Sequence, residues 1–292
     1  MRVFEESELI LTEKRKIYHL NLLPEDIADN IIVVGDPGRV PEVSGHFSYV
    51  IKKIQNRELL THTGFFKGEL ITVLSTGMGP DNIDIVLNEL DALANIDFET
   101  RTAKTEHRKL NIVRIGTSGA LQADIPVDTY MASAYGLGID GVMNFYKKTQ
   151  EITDKEINDE FIHQSQWPSF LARPYTIKAS DTLLKKIAFD IPQGITATAP
   201  GFFGPQGREL RGELAFPELN SSLTNFAYKG KKITNFEMET SALYGLGKIL
   251  GHETLTICVI IANRISKQFT RNYKPLMENL IKTVLNRLIT GK

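Results

Sequence analysis

Residues 111–121 read Asn-Ile-Val-Arg-Ile-Gly-Thr-Ser-Gly-Ala-Leu (NIVRIGTSGAL). Ile112, Val113 and Ile115 mark a strand buried on both faces, and Arg114 sits among them. A cation in such surroundings is costly unless an anion or a dense set of acceptors meets it. The residues that follow, Gly116-Thr117-Ser118-Gly119, combine two hydroxyls with little steric bulk, and the expectation is a loop at the carboxyl end of the strand. Open α/β sheets place ligands there, and backbone N–H groups in such loops attract anions. Two readings stand together at this point. Arg114 belongs to an anion pocket, or it pairs with a structural carboxylate beside an ordinary turn.

The same strand-then-glycine unit recurs along the chain. Residues 30–34 predict a short buried strand that ends at the turn Gly35-Asp36-Pro37-Gly38, with Arg39 next. Residues 70–74 predict another, ending at Ser75-Thr76-Gly77-Met78-Gly79. Pro80 and Asp81 suit a helix start, and Ile83, Val86, Leu87, Leu90 and Leu93 follow at helical spacing. Residues 239–250 read as a helix stopped by Gly251, 254–262 as a buried strand, and 275–289 as a closing helix. With no low-complexity linker and no repeat of fixed period, the alternation predicts one α/β domain over residues 1–292. Two stretches interrupt it. Residues 97–109 form a polar, mixed-charge connection expected to be exposed. Residues 146–174 are densely charged, carry the single tryptophan, Trp167, and suggest a solvated loop and helix or an excursion over a site.

Bulk composition narrows the function classes. Over 292 residues, 42% apolar and 24% charged side chains fit an ordinary globular protein. A net charge of -1 argues against nucleic-acid or membrane partners. No apolar run approaches the ~20 residues that span a bilayer. The opening MRVFEESELILTEKRK lacks the apolar core of a secretory signal, so the expected location is the cytoplasm. Cys258 is the single cysteine, which excludes a disulfide framework and a multi-cysteine metal site; within TICVII it reads as a buried structural thiol. The histidines show no HxH or HExxH spacing, so no catalytic metal is expected. Neither a Walker loop nor GxGxxG occurs, which removes most support for nicotinamide chemistry.

Three segments hold groups that do chemistry. Arg39 and Arg114 would meet around one anion if their strands are neighbours, since a planar guanidinium matches two phosphate oxygens at once. In Asn235-Phe236-Glu237-Met238-Glu239-Thr240, two carboxylates enter an apolar helix. That pattern suits a helix cap, and Glu239 would also grip two ribose hydroxyls. In Gly201-Phe202-Phe203-Gly204-Pro205-Gln206-Gly207-Arg208, an aromatic face, an amide and a guanidinium match the carbonyls and N–H of a pyrimidine, although for the segment taken alone a glycine-rich surface turn is the preferred reading.

In this order the segments resemble the nucleoside phosphorylase family, in its uridine phosphorylase branch. The matching residues run from Tyr18-His19-Leu20 through GDPGR, Arg57-Glu58, STGMG, RIGTSGA, FFGPQGR and NFEMET to IIANR. The resemblance implies a three-layer α/β/α sandwich around a mixed, partly barrel-like central sheet. It implies a pentosyltransferase that cleaves a pyrimidine nucleoside, uridine and phosphate giving uracil and ribose 1-phosphate. Phosphate would meet Gly35, Arg39, Arg114 and Thr117, with Arg57 entering from a partner subunit. Ribose would meet Thr117, Met238 and Glu239, with Glu237 nearby and His19 supplied by the neighbour. The base would meet Ser118, Gly119, Phe202, Gln206, Arg208, Ile260 and Ile261, and Arg208, Gln206, Arg114 and Glu239 would carry the catalysis.

The same resemblance implies no organic cofactor, inorganic phosphate as co-substrate, and a homodimer as the minimal active unit, with a hexamer as the larger assembly. Glu58 and Ser75 match positions where some relatives hold a monovalent cation such as K+ between subunits. Purine-cleaving relatives carry a Ser-Asp pair where this chain has Ala262-Asn263-Arg264, which favours a pyrimidine. Val142 and Met143 after Asp140-Gly141, and the long 97–109 and 146–174 stretches, are departures from the family pattern, and the last of them would reshape a pocket lid. The competing readings are a purine phosphorylase or nucleosidase on the same fold, and a non-catalytic nucleoside sensor.

Overall fold

The computed structural model describes residues 2–290; Met1, Gly291 and Lys292 of the expected domain lie outside them. The strands in chain order are β1 (Asn30–Val34), β2 (Tyr49–Asn56), β3 (Leu59–Phe66), β4 (Glu69–Ser75), the small hairpin β5 (Ile96–Asp97) and β6 (Thr102–Ala103), β7 (Asn111–Ala120), β8 (Tyr130–Gly138), β9 (Tyr175–Lys178), β10 (Gln193–Thr198), β11 (Ala227–Tyr228), β12 (Lys231–Glu237), β13 (Glu253–Asn263) and β14 (Gln268–Phe269). The helices are α1 (Arg39–Ser44), α2 (Pro80–Asn95), α3 (Thr149–Ile152), α4 (Lys155–Ser165), α5 (Asp181–Ile187), α6 (Leu219–Asn225), α7 (Thr240–Leu250) and α8 (Lys274–Ile289).

Apart from the β5–β6 hairpin, the strands form one mixed sheet ordered β11-β12-β10-β8-β13-β7-β1-β4-β3-β2, with β9 added beside β8 and β14 beside β13. β12 also pairs antiparallel with β7, Asn235 opposite Ala120 and Phe236 opposite Gly119. That last ladder closes β12, β10, β8, β13 and β7 into a barrel, while β1, β4, β3 and β2 continue as an open wing. Helices flank the sheet, giving the three-layer α/β/α architecture with a partly barrel-like centre. β1 and the middle of β13 are near-continuous apolar runs because strands of this kind are buried on both faces. β2 instead alternates between exposed and half-buried residues, as an edge strand does.

The helices follow their sequence signals. α2 begins at Pro80, directly after Gly79 with φ +103°, and buries Ile83, Val86, Leu87, Leu90 and Leu93. α7 starts at Thr240 with Glu239 as its N-cap and stops at Gly251, whose φ of +83° is left-handed. α2 packs on α7, and α7 lies against β8 and β13. Among the described residues no helix is long and apolar enough to cross a membrane.

Three sequence expectations change. Gly116–Gly119 is not a loop, because β7 runs on through Ala120. β13 pairs with it along its full length, whereas β1 leaves after Arg114 and β12 joins at Gly119. Residues 97–109 are more than an exposed connection: they hold the β5–β6 hairpin, and Arg101 donates to the Phe4, Glu5 and Leu9 carbonyls to clamp the amino-terminal segment. Residues 146–174 contain α3 and α4 and pack toward α6 and β9. Trp167 there donates to the Ala172 carbonyl and lies against Phe161 and Phe216. None of residues 146–174 lines the large cavity described next.

Candidate active site

A cavity of about 660 Å³ opens where β1, β4, β7, β12 and β13 end. Its position follows from the topology: β7 separates from β1 after Arg114, and the uncovered edge of Gly116–Gly119 becomes a wall. The neighbouring strand ends bring Arg39 and Arg114 into the same cavity, as the sequence required of a shared anion site.

The two arginines have different surroundings. Arg39, the first residue of α1, is buried, and its Nη1 makes a long 3.4 Å bond to the Ile115 carbonyl. Among the described residues it forms no ion pair. Arg114 is buried too, but its Nη1 lies 3.1 Å from Glu237 Oε2 and its Nη2 bonds Glu239 Oε2. Burial alone would lower the Arg114 pKa; the fields of Glu239 and Glu237 more than offset this and raise it. Arg114 is therefore paired with carboxylates, as the second opening reading has it, and it also lines the cavity.

Gly116 makes this arrangement sterically feasible. A Cβ there would stand 2.3 Å from Arg114 Nη1 and 2.8 Å from Cζ, so the guanidinium lies directly over the glycine. The sequence offered Gly116 as a turn residue; its role is to leave room for a side chain two positions away.

The acidic pair sits at the junction of β12 and α7 rather than in the helix's first turn. Glu237 ends β12, and its carboxylate accepts the Glu239 and Thr240 N–H groups and the Thr198 hydroxyl. It is thus a saturated anchor at the positive end of α7, with little capacity left for a sugar. Glu239 accepts the Gly79 N–H at 2.8 Å through Oε1 and Arg114 through Oε2. Burial pushes its pKa upward, Arg114 opposes that shift, and Glu237 adds to it. Cys258, a fully buried thiol as expected, lies 3.5 Å from Arg114 Nη1, and burial pushes it up to about 11.

The other side of the cavity is built from Phe202, Gln206 and Arg208 around the short 3-10 turn Gly204–Gln206. Arg208 Nη1 donates to Gln206 Oε1 and to the Phe202 carbonyl, both at 2.6 Å. Its guanidinium stacks on Phe202 with Cζ 3.8 Å from the ring centroid. The face expected to take a base is thus covered by the arginine expected to bind it. Burial, with Arg264 nearby, lowers the Arg208 pKa to about 10.

The remaining expected residues divide cleanly. Gly35, Thr117, Ser118, Gly119, Met238 and Ile261 line the cavity with the groups above, and Glu58 does so as well. Ile260 does not: β13 slips register between Ile260 and Ala262, and Ile260 is buried with Ala120 and Met131 instead. Ser75 is buried behind the site, where its hydroxyl donates to the Glu58 carbonyl and accepts the Leu60 N–H. His19 and Arg57 lie apart from the cavity. His19 Nδ1 meets Glu89 at 2.7 Å, and Arg57 stacks over Tyr18 at the rim of a separate 230 Å³ surface depression. Met78 and Phe269, exposed at the cavity mouth, were not singled out from the sequence. Met78 lies within the Gly77-Met78-Gly79 motif, whereas nothing in the sequence marks Phe269, which β14 brings to the cavity by folding back on β13.

A family model described as the phosphorylase superfamily matches residues 29–286. The chain belongs to that superfamily. It is 29% identical over 274 residues to a uridine phosphorylase of Thermococcus kodakarensis, an alignment covering 91% of this chain and 84% of the relative. It is 28% identical over 246 residues to a DeoD-type purine nucleoside phosphorylase of Listeria monocytogenes, covering 83% and 85%. Among solved structures, a Trypanosoma brucei nucleoside phosphorylase described as showing uridine phosphorylase activity superposes with a TM-score of 0.82 at 29% identity, covering 97% of this chain and all of that one. The chain is thus a nucleoside phosphorylase-type enzyme.

Proposed function

We propose that the protein cleaves uridine with inorganic phosphate, giving uracil and ribose 1-phosphate. The observation that carries this reading is the convergence, in one cavity, of a buried cation with no ion pair among the described residues (Arg39), the Arg114–Glu239 pair, and the Gln206–Arg208 edge. In this reading phosphate lies near Gly35, Arg39, Arg114 and Thr117, ribose near Met238 and Glu239, and the base between Ser118-Gly119 and Phe202-Gln206-Arg208. Similarity to uridine phosphorylases supports the pyrimidine assignment, as does Ala262-Asn263-Arg264 in place of a Ser-Asp pair.

The chemistry follows from charge. As the glycosidic bond stretches, positive charge grows on the ribose and negative charge on the departing uracil. Phosphate held under the sugar stabilises the first, and prepositioned donors stabilise the second. Arg208 and Gln206 serve the leaving base, so a strong general acid is not required. To do so they exchange their mutual bond for bonds to substrate, and the Arg208 guanidinium leaves the Phe202 face. Arg57 and His19, set apart from their own chain's cavity, would complete a partner's site in a homodimer, within a hexamer if dimers associate further.

The test is cleavage of uridine, thymidine and inosine, each with and without phosphate, followed by release of the base. Phosphate-dependent turnover with uridine or thymidine ahead of inosine is expected. Cleavage without phosphate, or inosine strongly preferred, would overturn the assignment, and no turnover with any of the three would favour a sensor.

A further inference from the structure

Thr198 closes β10 and is fully buried. Its Oγ1 accepts the Ser241 N–H at 3.0 Å and donates to Glu237 Oε1 at 2.7 Å. The direction is fixed by chemistry, since an amide N–H only donates and an ionised carboxylate only accepts. The β-branched side chain has few rotamers and is packed in place, so the hydroxyl is a stiff reference point. The same carboxylate receives two N–H groups from the start of α7 and stands 3.1 Å from Arg114 Nη1. β10, β12, α7 and β7 therefore meet at Glu237, and Thr198 supplies the β10 contact.

We propose that Thr198 is a positioning residue for phosphate. Its hydroxyl fixes the Glu237 carboxylate, Glu237 fixes the Nη1 side of Arg114, and the orientation of Arg114 sets how tightly an anion binds beside Arg39. The inference rests on the phosphate site of the proposed function. It adds a residue outside the cavity, which no motif in the sequence marks.

Thr198→Val keeps the shape and removes the hydroxyl; Thr198→Ser keeps the hydroxyl. Calorimetric titration with inorganic phosphate, steady-state kinetics and thermal melting are compared for both variants and wild type. In Thr198→Val the phosphate Kd and phosphate KM rise about tenfold, the scale of one lost hydrogen bond to a charged group. The uridine KM moves by less than about twofold, and Thr198→Ser returns all three values to near wild type. Unchanged phosphate Kd in Thr198→Val, equal damage in Thr198→Ser, or a parallel rise in both KM values would overturn the inference. A wild-type protein that binds phosphate and cleaves no nucleoside would refute the proposed function, while the Kd comparison would still decide the role of Thr198.

Discussion

The two halves of the cavity are built on opposite principles. Around Arg114 the groups are buried and ionic: Glu237, Glu239, the Gly79 N–H and the amino end of α7 hold one another in place, while the Arg114 Nε has no hydrogen-bond partner among the described residues. Around Arg208 a half-buried guanidinium is satisfied by a neutral amide and a carbonyl, with an exposed aromatic ring beneath. The difference separates two tasks. The Arg114 half is preorganised and is also structural, because removing one member of a buried ion cluster strands the others. The Arg208 half makes contacts that a ligand must replace, so it contributes to recognition with little effect on folding.

The sharpest way to break this contrast is Arg114→Ala. It should lower kcat/KM for phosphate by roughly 10³-fold and destabilise the fold by about 3–5 kcal/mol, since Glu237 and Glu239 lose their shared cation. Denaturant melts and kinetics on the same preparation check both, and loss of activity with full stability would contradict the structural half of the statement. Gly116→Ala comes next. The new methyl drives the Arg114 guanidinium from its place, and a loss of roughly 10²-fold in activity is expected, as a misplacement of about 1 Å commonly costs. Arg208→Ala should reduce kcat/KM for uridine by at least ~10-fold, mainly through kcat, and leave the melting temperature within the scatter of surface variants. Unchanged kinetics there would remove Arg208 from base recognition.

The smallest effect is on pH. Glu239 has its pKa raised by burial, so on acidification it takes up a proton before an exposed glutamate, which titrates near about 4.3, would do so. Its neutral form loosens its hold on Arg114, and activity falls as pH drops through that raised value. An acid limb of kcat/KM at or below the exposed-glutamate range would show that Glu239 is not the group in control.

What the sequence made legible, and what it did not, has a physical pattern. Periodicity located β1, α2 and α8 because each signal is local: apolar spacing, a proline at the start, a glycine at a bend. The strand bearing Arg114 was legible for the same reason, but its end was not. Gly116, Thr117, Ser118 and Gly119 have turn-like composition, and β13, far along the chain, keeps them extended. Ile260 and Ile261 show the same limit, since the slip of register beside them decides which one reaches the cavity. Pairings such as Arg114 with Glu237, or Thr198 with the same carboxylate, join residues remote in sequence and leave no periodic trace. The motif segments were visible individually, and the closed barrel is what places them around one cavity.

The central claim is that one cavity holds a phosphate and a nucleoside so that the first attacks the second. Incubating the wild-type protein with uridine and inorganic phosphate, and following the products by ³¹P NMR together with uracil release, tests it directly. The account predicts a new sugar-phosphate resonance, ribose 1-phosphate, growing in equal amount with uracil. Uracil appearing with free ribose and an unchanged phosphate signal would contradict it.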